Sequence, residues 1–201
     1  MVANQSPHNF WSSLKVERDK AVFADEFYFN VFEVENIIRF DTESERDMDF
    51  QRADIDVQLH AWERHSNVSE KFRAIDYDDL YIELYSMYPN VKGWMQNSSA
   101  DHLAYFFPTR LIWIDKKELI RAFETHLLSN INSAKIKELK TNYPQQNASL
   151  TDEISIDSSS HKVRYIKAYN KTKSKDWDTI GLSLPFDLLE AIGVKLKVYA
   201  L

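Results

Sequence analysis

The chain has 201 residues, 44% hydrophobic and 13% aromatic, enough to bury one full core with a small appendage. A net charge of −6 argues against a protein that coats nucleic acid in bulk, and the absence of cysteine excludes thiolate metal sites, disulfides and cysteine nucleophiles. Only three glycines occur, at Gly93, Gly181 and Gly193, too few and too dispersed for a phosphate-binding or dinucleotide-binding loop.

In chain order, the first residues (MVANQSPHNF) lack a signal-peptide pattern. No apolar run reaches the ~18 residues a membrane helix needs, so a cytosolic protein with no membrane contact is expected. Residues 10–36 lack Pro and Gly and carry apolar residues at helical spacings, predicting one or two helices. The charged run 41–50 reads as a loop. Three strands are expected at about 53–60, 67–73 and 80–86, in an antiparallel meander. Residues 86–100, with Pro89 and Gly93, read as a loop, and Leu103–Phe107 with Arg110–Ile114 as a hairpin. Asp115 and Glu118 resemble a capping box opening one long helix towards Lys140, with Leu119, Phe123, Leu127 and Ile131 on its inner face. The serine-rich, polar stretch 141–161 reads as a flexible linker. A closing strand–helix–strand unit over 162–201 follows, its helix running from Pro185 to the stop at Gly193.

Each of the first three strands carries acids: Asp54 and Asp56, then Glu70 beside Lys71, then Glu83. Strands point alternate residues to one face, so neighbouring strands can gather carboxylates onto one patch. Such a patch is costly unless a cation occupies it. Acids with a lysine around a hard cation suit metal-assisted phosphodiester hydrolysis. Adjacent strand residues face opposite ways, so Glu70 and Lys71 reach one site only through a bulge or a strand end. The six histidines show no H-E-x-x-H spacing and no G-x-S-x-G elbow exists, which disfavours a zinc hydrolase and a serine hydrolase.

Charge is unevenly distributed. Nine acids face three arginines between Glu33 and Asp56, whereas His161 to Lys175 holds six basic residues and no acid. Those six are Lys162, Arg164, Lys167, Lys171, Lys173 and Lys175, interleaved with Tyr165 and Tyr169. A basic strip separate from an acidic centre suits a metal-dependent nuclease, gripping phosphates while the cation neutralises the reacting one.

Gln51-Arg52-Ala53-Asp54-Ile55-Asp56, Ser69-Glu70-Lys71, Asp76-Tyr77-Asp78-Asp79, Glu83-Leu84-Tyr85-Ser86 and Gly93-Trp94 resemble the PD-(D/E)XK nuclease superfamily, in a branch found in phages and mobile elements. The resemblance spans about residues 20–115. It implies an α+β, restriction-endonuclease-like core over 1–140, with N-terminal helices, a central mixed sheet and a long helix. A linker over 141–161 and a small C-terminal α/β extension over 162–201 complete the expectation. It further implies a Mg²⁺- or Mn²⁺-dependent endonuclease acting on DNA in preference to RNA. Asp56, Glu70 and Glu83 would hold the metal, with Asp54 competing for the place of Asp56, and two copies are the usual arrangement where both strands are cut. The usual Glu-x-Lys reads Glu83-Leu84-Tyr85 on the expected third strand, so Lys71, or else Lys92, would supply the lysine. Lys92, Trp94 and the basic strip would contact nucleic acid. The displaced lysine also supports an alternative: a catalytically inactive scaffold that binds nucleic acid or a host defence or replication protein.

Overall fold

A computed structural model describes residues 10–40 and 44–201, with side chains from residue 20 onwards. The fold is α+β. Its eleven described strands form two sheets, one of six strands in the order β1-β2-β3-β6-β7-β11 and one of five in the order β5-β4-β10-β9-β8.

The six-stranded sheet belongs to a unit made of residues 10–76, 97–118 and 196–201. Its strands are β1 (Asn36–Arg39), β2 (Val57–Ala61), β3 (Arg64–Phe72), β6 (His102–Phe106), β7 (Arg110–Asp115) and β11 (Leu196–Ala200). The sheet is mixed: β3 and β6 run parallel, and the other neighbours antiparallel. One helix, α1 (Phe10–Val31), covers one face. Ala24, Phe27, Tyr28 and Val34 pack there on Val57, Leu59, Val68, Ala104, Phe106, Leu111 and Trp113.

The stretch after residue 43 corrects the expected loop, whose positions 41–43 lie outside the described residues. It forms α2 (Glu45–Arg52), capped by the Ser44 hydroxyl, which accepts from Asp47 N at 3.0 Å. Glu45 and Asp47 in the first turn and Arg52 in the last complement the helix dipole, so charge that reads as a loop stabilises a helix.

The second unit comprises residues 77–96 and 119–195. It holds β4 (Asp79–Met87), β5 (Val91–Lys92), β8 (Ala148–Ile156), β9 (Ser159–Lys171) and β10 (Asp176–Pro185). The expected meander is therefore wrong in its third strand, because β4 pairs with β10 and β5, not with β3. The linker reading of 141–161 is also wrong: residues 148–156 form an edge strand whose outward side chains are polar and whose Ile154 is buried. Nor does the chain divide once near residue 140, since β9 and β10 are central to this sheet and β11 returns to the other.

The long helix expected from Asp115 to Lys140 is interrupted. Glu118 N does donate to the Asp115 carboxylate at 2.8 Å, as the capping box requires. However, α4 (Lys116–Ala122) passes into a π turn over Phe123–Leu127 and a 3₁₀ turn over Leu128–Asn130. Ile131 is extended, and Asn132 caps a new helix, α5 (Ser133–Asn142), through its side-chain oxygen to Ala134 N at 3.1 Å. A short helix, α6 (Phe186–Ala191), follows Pro185 and ends before Gly193, whose φ of 86° suits glycine.

Candidate active site

The centre of interest forms where α2 ends and β2 begins. Ala53 N closes the helix onto Asp49 and Phe50 carbonyls, and Asp54 takes a left-handed φ of 56°, which aspartate tolerates better than most residues. The following Ile55 anchors the turn in a small apolar cluster with Phe40 and Ala100, beside the stacked rings of Phe40 and Phe50. Asp56 N then donates to Val68 O at 3.0 Å, which ties the turn to β3. Two carboxylates are thus fixed at the mouth of the sheet by backbone geometry.

Lys71 meets them. Its Nζ lies 2.9 Å from Asp54 Oδ1 and 3.3 Å from Asp56 Oδ2. Lys116, at the start of α4 and fully buried, approaches the second oxygen of Asp54 at 3.5 Å. Asp56 Oδ2 also accepts the Glu70 backbone N–H at 2.7 Å. Burial alone would raise Asp54, but the Lys71 ammonium and then Lys116 outweigh it and hold the carboxyl below its ordinary value. Burial would lower Lys71, yet Asp54 and Asp56 keep it well above the ordinary lysine range. Lys116 goes the other way: burial, aided by repulsion from Lys71, brings it down to about 7 against the pull of Asp54.

Ser69 completes the group. It precedes Lys71 by two residues and so shares its face of β3. Its side chain is fully buried and helps to keep the Asp54 carboxyl low.

Glu70 points to the opposite face and joins a different network. Its Oε1 accepts from Tyr28 OH at 2.8 Å, and its Oε2 from Arg39 Nη1 at 2.7 Å. Arg39 also holds Asp25 at 2.7 Å. Burial raises Glu70 above its ordinary value despite Arg39, and raises Tyr28 as well. Glu83 sits on β4 in the five-stranded sheet, where its Oε1 accepts from Ser86 Oγ at 2.7 Å. The structure therefore gathers Asp54, Asp56, Ser69, Lys71 and Lys116, and turns the Glu70 side chain to the other face of β3. Among the described residues, no group of three or more histidines, aspartates or glutamates is arranged to hold a metal.

The residues assigned to nucleic-acid contact also separate. Lys92 is exposed on β5, whereas Trp94 is buried, 9% exposed, at the start of the short helix α3 (Trp94–Asn97). Along β9 the odd positions 161–169 face inward, so Lys167 leaves the strip: it is 1% exposed and bonds Asp178 at 2.9 Å and the Gln146 carbonyl at 2.7 Å. Lys162 is exposed, and Arg164 is half-buried, bonding Asp79 at 3.2 Å. Lys171, Lys173 and Lys175 are exposed around the β9–β10 turn.

Lys116, Tyr28, Arg39 and Asp25 escape sequence reasoning. Strand alternation alone signals that Ser69 and Lys71 share a face; nothing local signals Lys116, which lies 62 residues from Asp54.

No family model matches this chain, and neither the curated proteins nor the solved structures hold a significant match to it.

Proposed function

We propose that this chain is a divalent-metal-dependent nuclease acting on DNA, with Asp54, Asp56 and Lys71 as its working centre. The observation that carries the reading is the convergence of two carboxylates on one lysine, at 2.9 and 3.3 Å, beside the buried Ser69. Mg²⁺ commonly takes only one or two protein carboxylates and fills the rest of its shell with water and phosphate oxygens, so this donor set fits. Asp54 and Asp56 would hold Mg²⁺ or Mn²⁺, with Ser69 within the same pocket of polar groups. The bound cation would supply Lewis-acid stabilisation of the phosphoryl oxygens. Lys71, oriented by both aspartates, offsets charge at the phosphate and orients the attacking water. Lys162, Lys171, Lys173 and Lys175 offer exposed positive charge for backbone phosphates. Glu70, expected as a metal ligand, accepts from Tyr28 and Arg39, and Glu83, likewise expected, accepts from Ser86.

The test is incubation of the purified chain with supercoiled plasmid, nicked, branched and single-stranded DNA in Mg²⁺ or Mn²⁺. Cleavage that disappears in Asp56→Asn and in Lys71→Ala supports the reading. Failure to cleave any of these substrates with either metal overturns it.

One observation favours a second reading. In a (D/E)-x-Lys frame ending at Lys71, the acid position is Ser69, a neutral residue. Asp54 and Asp56 already share the Lys71 ammonium, which lessens the drive to bind a cation. On that reading the chain is a nuclease-like scaffold that binds nucleic acid or a protein without cutting. Retained DNA binding, no cleavage, and no gain in thermal stability from Mn²⁺ select it.

A further inference from the structure

The β2–β3 hairpin carries a second constellation, distinct from the carboxylate cluster. His60 and His65 are direct register partners on adjacent antiparallel strands, so their side chains share one face. Their ring centroids lie 5.8 Å apart with the planes inclined at 33°. Two imidazoles bound to one tetrahedral zinc through Zn–N bonds of about 2.0–2.1 Å place their centroids roughly 5 Å apart. Side-chain rotation of less than about 1 Å closes that gap.

His60 is already oriented. Its Nε2 is 2.8 Å from Gln58 Oε1, while Gln58 Nε2 donates to Asn67 Oδ1 at 2.9 Å. With the Gln58 nitrogen engaged by Asn67, its oxygen faces the imidazole and accepts. His60 Nε2 therefore carries the proton, leaving the Nδ1 lone pair for a ligand. A histidine that donates one N–H to a carbonyl and offers its other nitrogen has the outer-shell arrangement of metal-ligating imidazoles. Asn36 pairs with His60 from the other side and presents an amide on the same face.

We propose that His60 and His65 form a two-histidine clasp for a divalent transition-metal ion, Zn²⁺ by chemistry and availability, with water completing the shell. The site takes imidazole-preferring metals and discriminates against Mg²⁺, which seeks oxygen ligands. It lies about 20 Å along β3 from Lys71, at ~3.3 Å per residue, so the two centres load independently. Its occupancy pins the strands next to the turn that displays Trp62, which is 85% exposed and held at a left-handed φ of 55°. The Trp62 backbone N–H donates to Glu35 at 3.1 Å, so the tip is already tethered on its β1 side.

Calorimetric titration of the full chain with Zn²⁺ alone, and electron paramagnetic resonance of its one-equivalent Cu²⁺ complex, test the clasp. The expected result is one equivalent of Zn²⁺, an affinity drop of at least tenfold in His60→Ala and in His65→Ala, and loss in the double variant. The Cu²⁺ spectrum should show two nitrogen ligands in the natural chain and one in either single variant. His65 is exposed and His60 half-buried, and an unchanged unfolding midpoint of the metal-free variants shows that the fold is retained. Asp56→Asn should leave the zinc affinity intact. Zinc binding that survives both single variants, that vanishes in Asp56→Asn, or that is absent up to about 1 mM Zn²⁺ overturns the proposal.

Discussion

The two faces of β3 differ by one residue and by a kind of chemistry. On the helix-covered face, Glu70 accepts from Tyr28 and Arg39, which gives each of its carboxylate oxygens a donor, and Arg39 also donates to Asp25. On the other face, Lys71 meets two aspartates beside the buried Ser69. The first network is closed and can only hold the fold together. The second brings two carboxylates and a lysine to one point, a combination that can meet a cation or a phosphate. The five-stranded unit repeats the closed pattern: Asp178 takes both Lys140 and Lys167, and Lys167 also donates to the Gln146 carbonyl. The contrast shows that buried charge by itself does not mark a site; what sets the second face apart is the convergence of two carboxylates on one lysine.

This distinction can be broken most forcefully at Arg39. Arg39→Ala leaves the Glu70 carboxylate buried without its cation, and the expected loss is about 3–5 kcal/mol in urea-unfolding free energy. Glu70→Gln should lose less, because no uncompensated charge remains. Equal losses, or a loss of cleavage without a loss of stability, would mean that the closed face is functional.

At the open face the order reverses. Asp56→Asn keeps an oxygen that can accept from Glu70 N, so unfolding free energy should fall by less than ~1 kcal/mol. Cleavage should drop by about a hundredfold or more, as when a transition-state contact is removed. A protein that unfolds while cleaving normally per folded molecule would erase the contrast.

Lys116 supplies a pH signature. Burial brings its folded value down to about 7, whereas an unfolded lysine titrates near ~10.4. Between those values the unfolded chain binds the extra proton, so this residue makes stability rise with pH across that window. Lys71, raised in the fold, contributes stability that is complete below the unfolded value and is lost only above it. The urea midpoint should therefore climb more steeply from about pH 7 to pH 10 in the natural chain than in Lys116→Met. Identical slopes would place Lys116 in the closed class.

The smallest expected effect is at Ser69. Ser69→Ala removes a small hydroxyl that helps to hold the Asp54 charge, so stability should fall by ~1 kcal/mol or less. Metal-free stability would then be largely preserved while Mn²⁺-induced stabilisation shrinks. A large destabilisation would show that the hydroxyl is structurally committed.

Local pattern sufficed for elements whose signals lie within a few residues. The hairpin of β6 and β7 follows from two apolar runs about Pro108-Thr109, and α6 from Pro185 and Gly193. The capping role of Asp115 is legible because its partner, Glu118 N, is three residues away. The polar strand β8 is not legible, since an edge strand exposes most of its side chains and so resembles a linker.

What the sequence determined by itself is the chemistry available: no thiols, no phosphate-binding glycine loop, acids and a lysine on strands, and a strict alternation that sends Glu70 and Lys71 to opposite faces. What only the tertiary structure decided is which of those groups meet. It joined β4 to β10, drew Lys116 to Asp54, gave Glu70 to Arg39 and removed Lys167 from the basic strip into the core. Period two fixes the direction of a side chain, but its partner is set by the pairing of strands distant in the chain, where burial and charge compensation across the whole sheet choose the register.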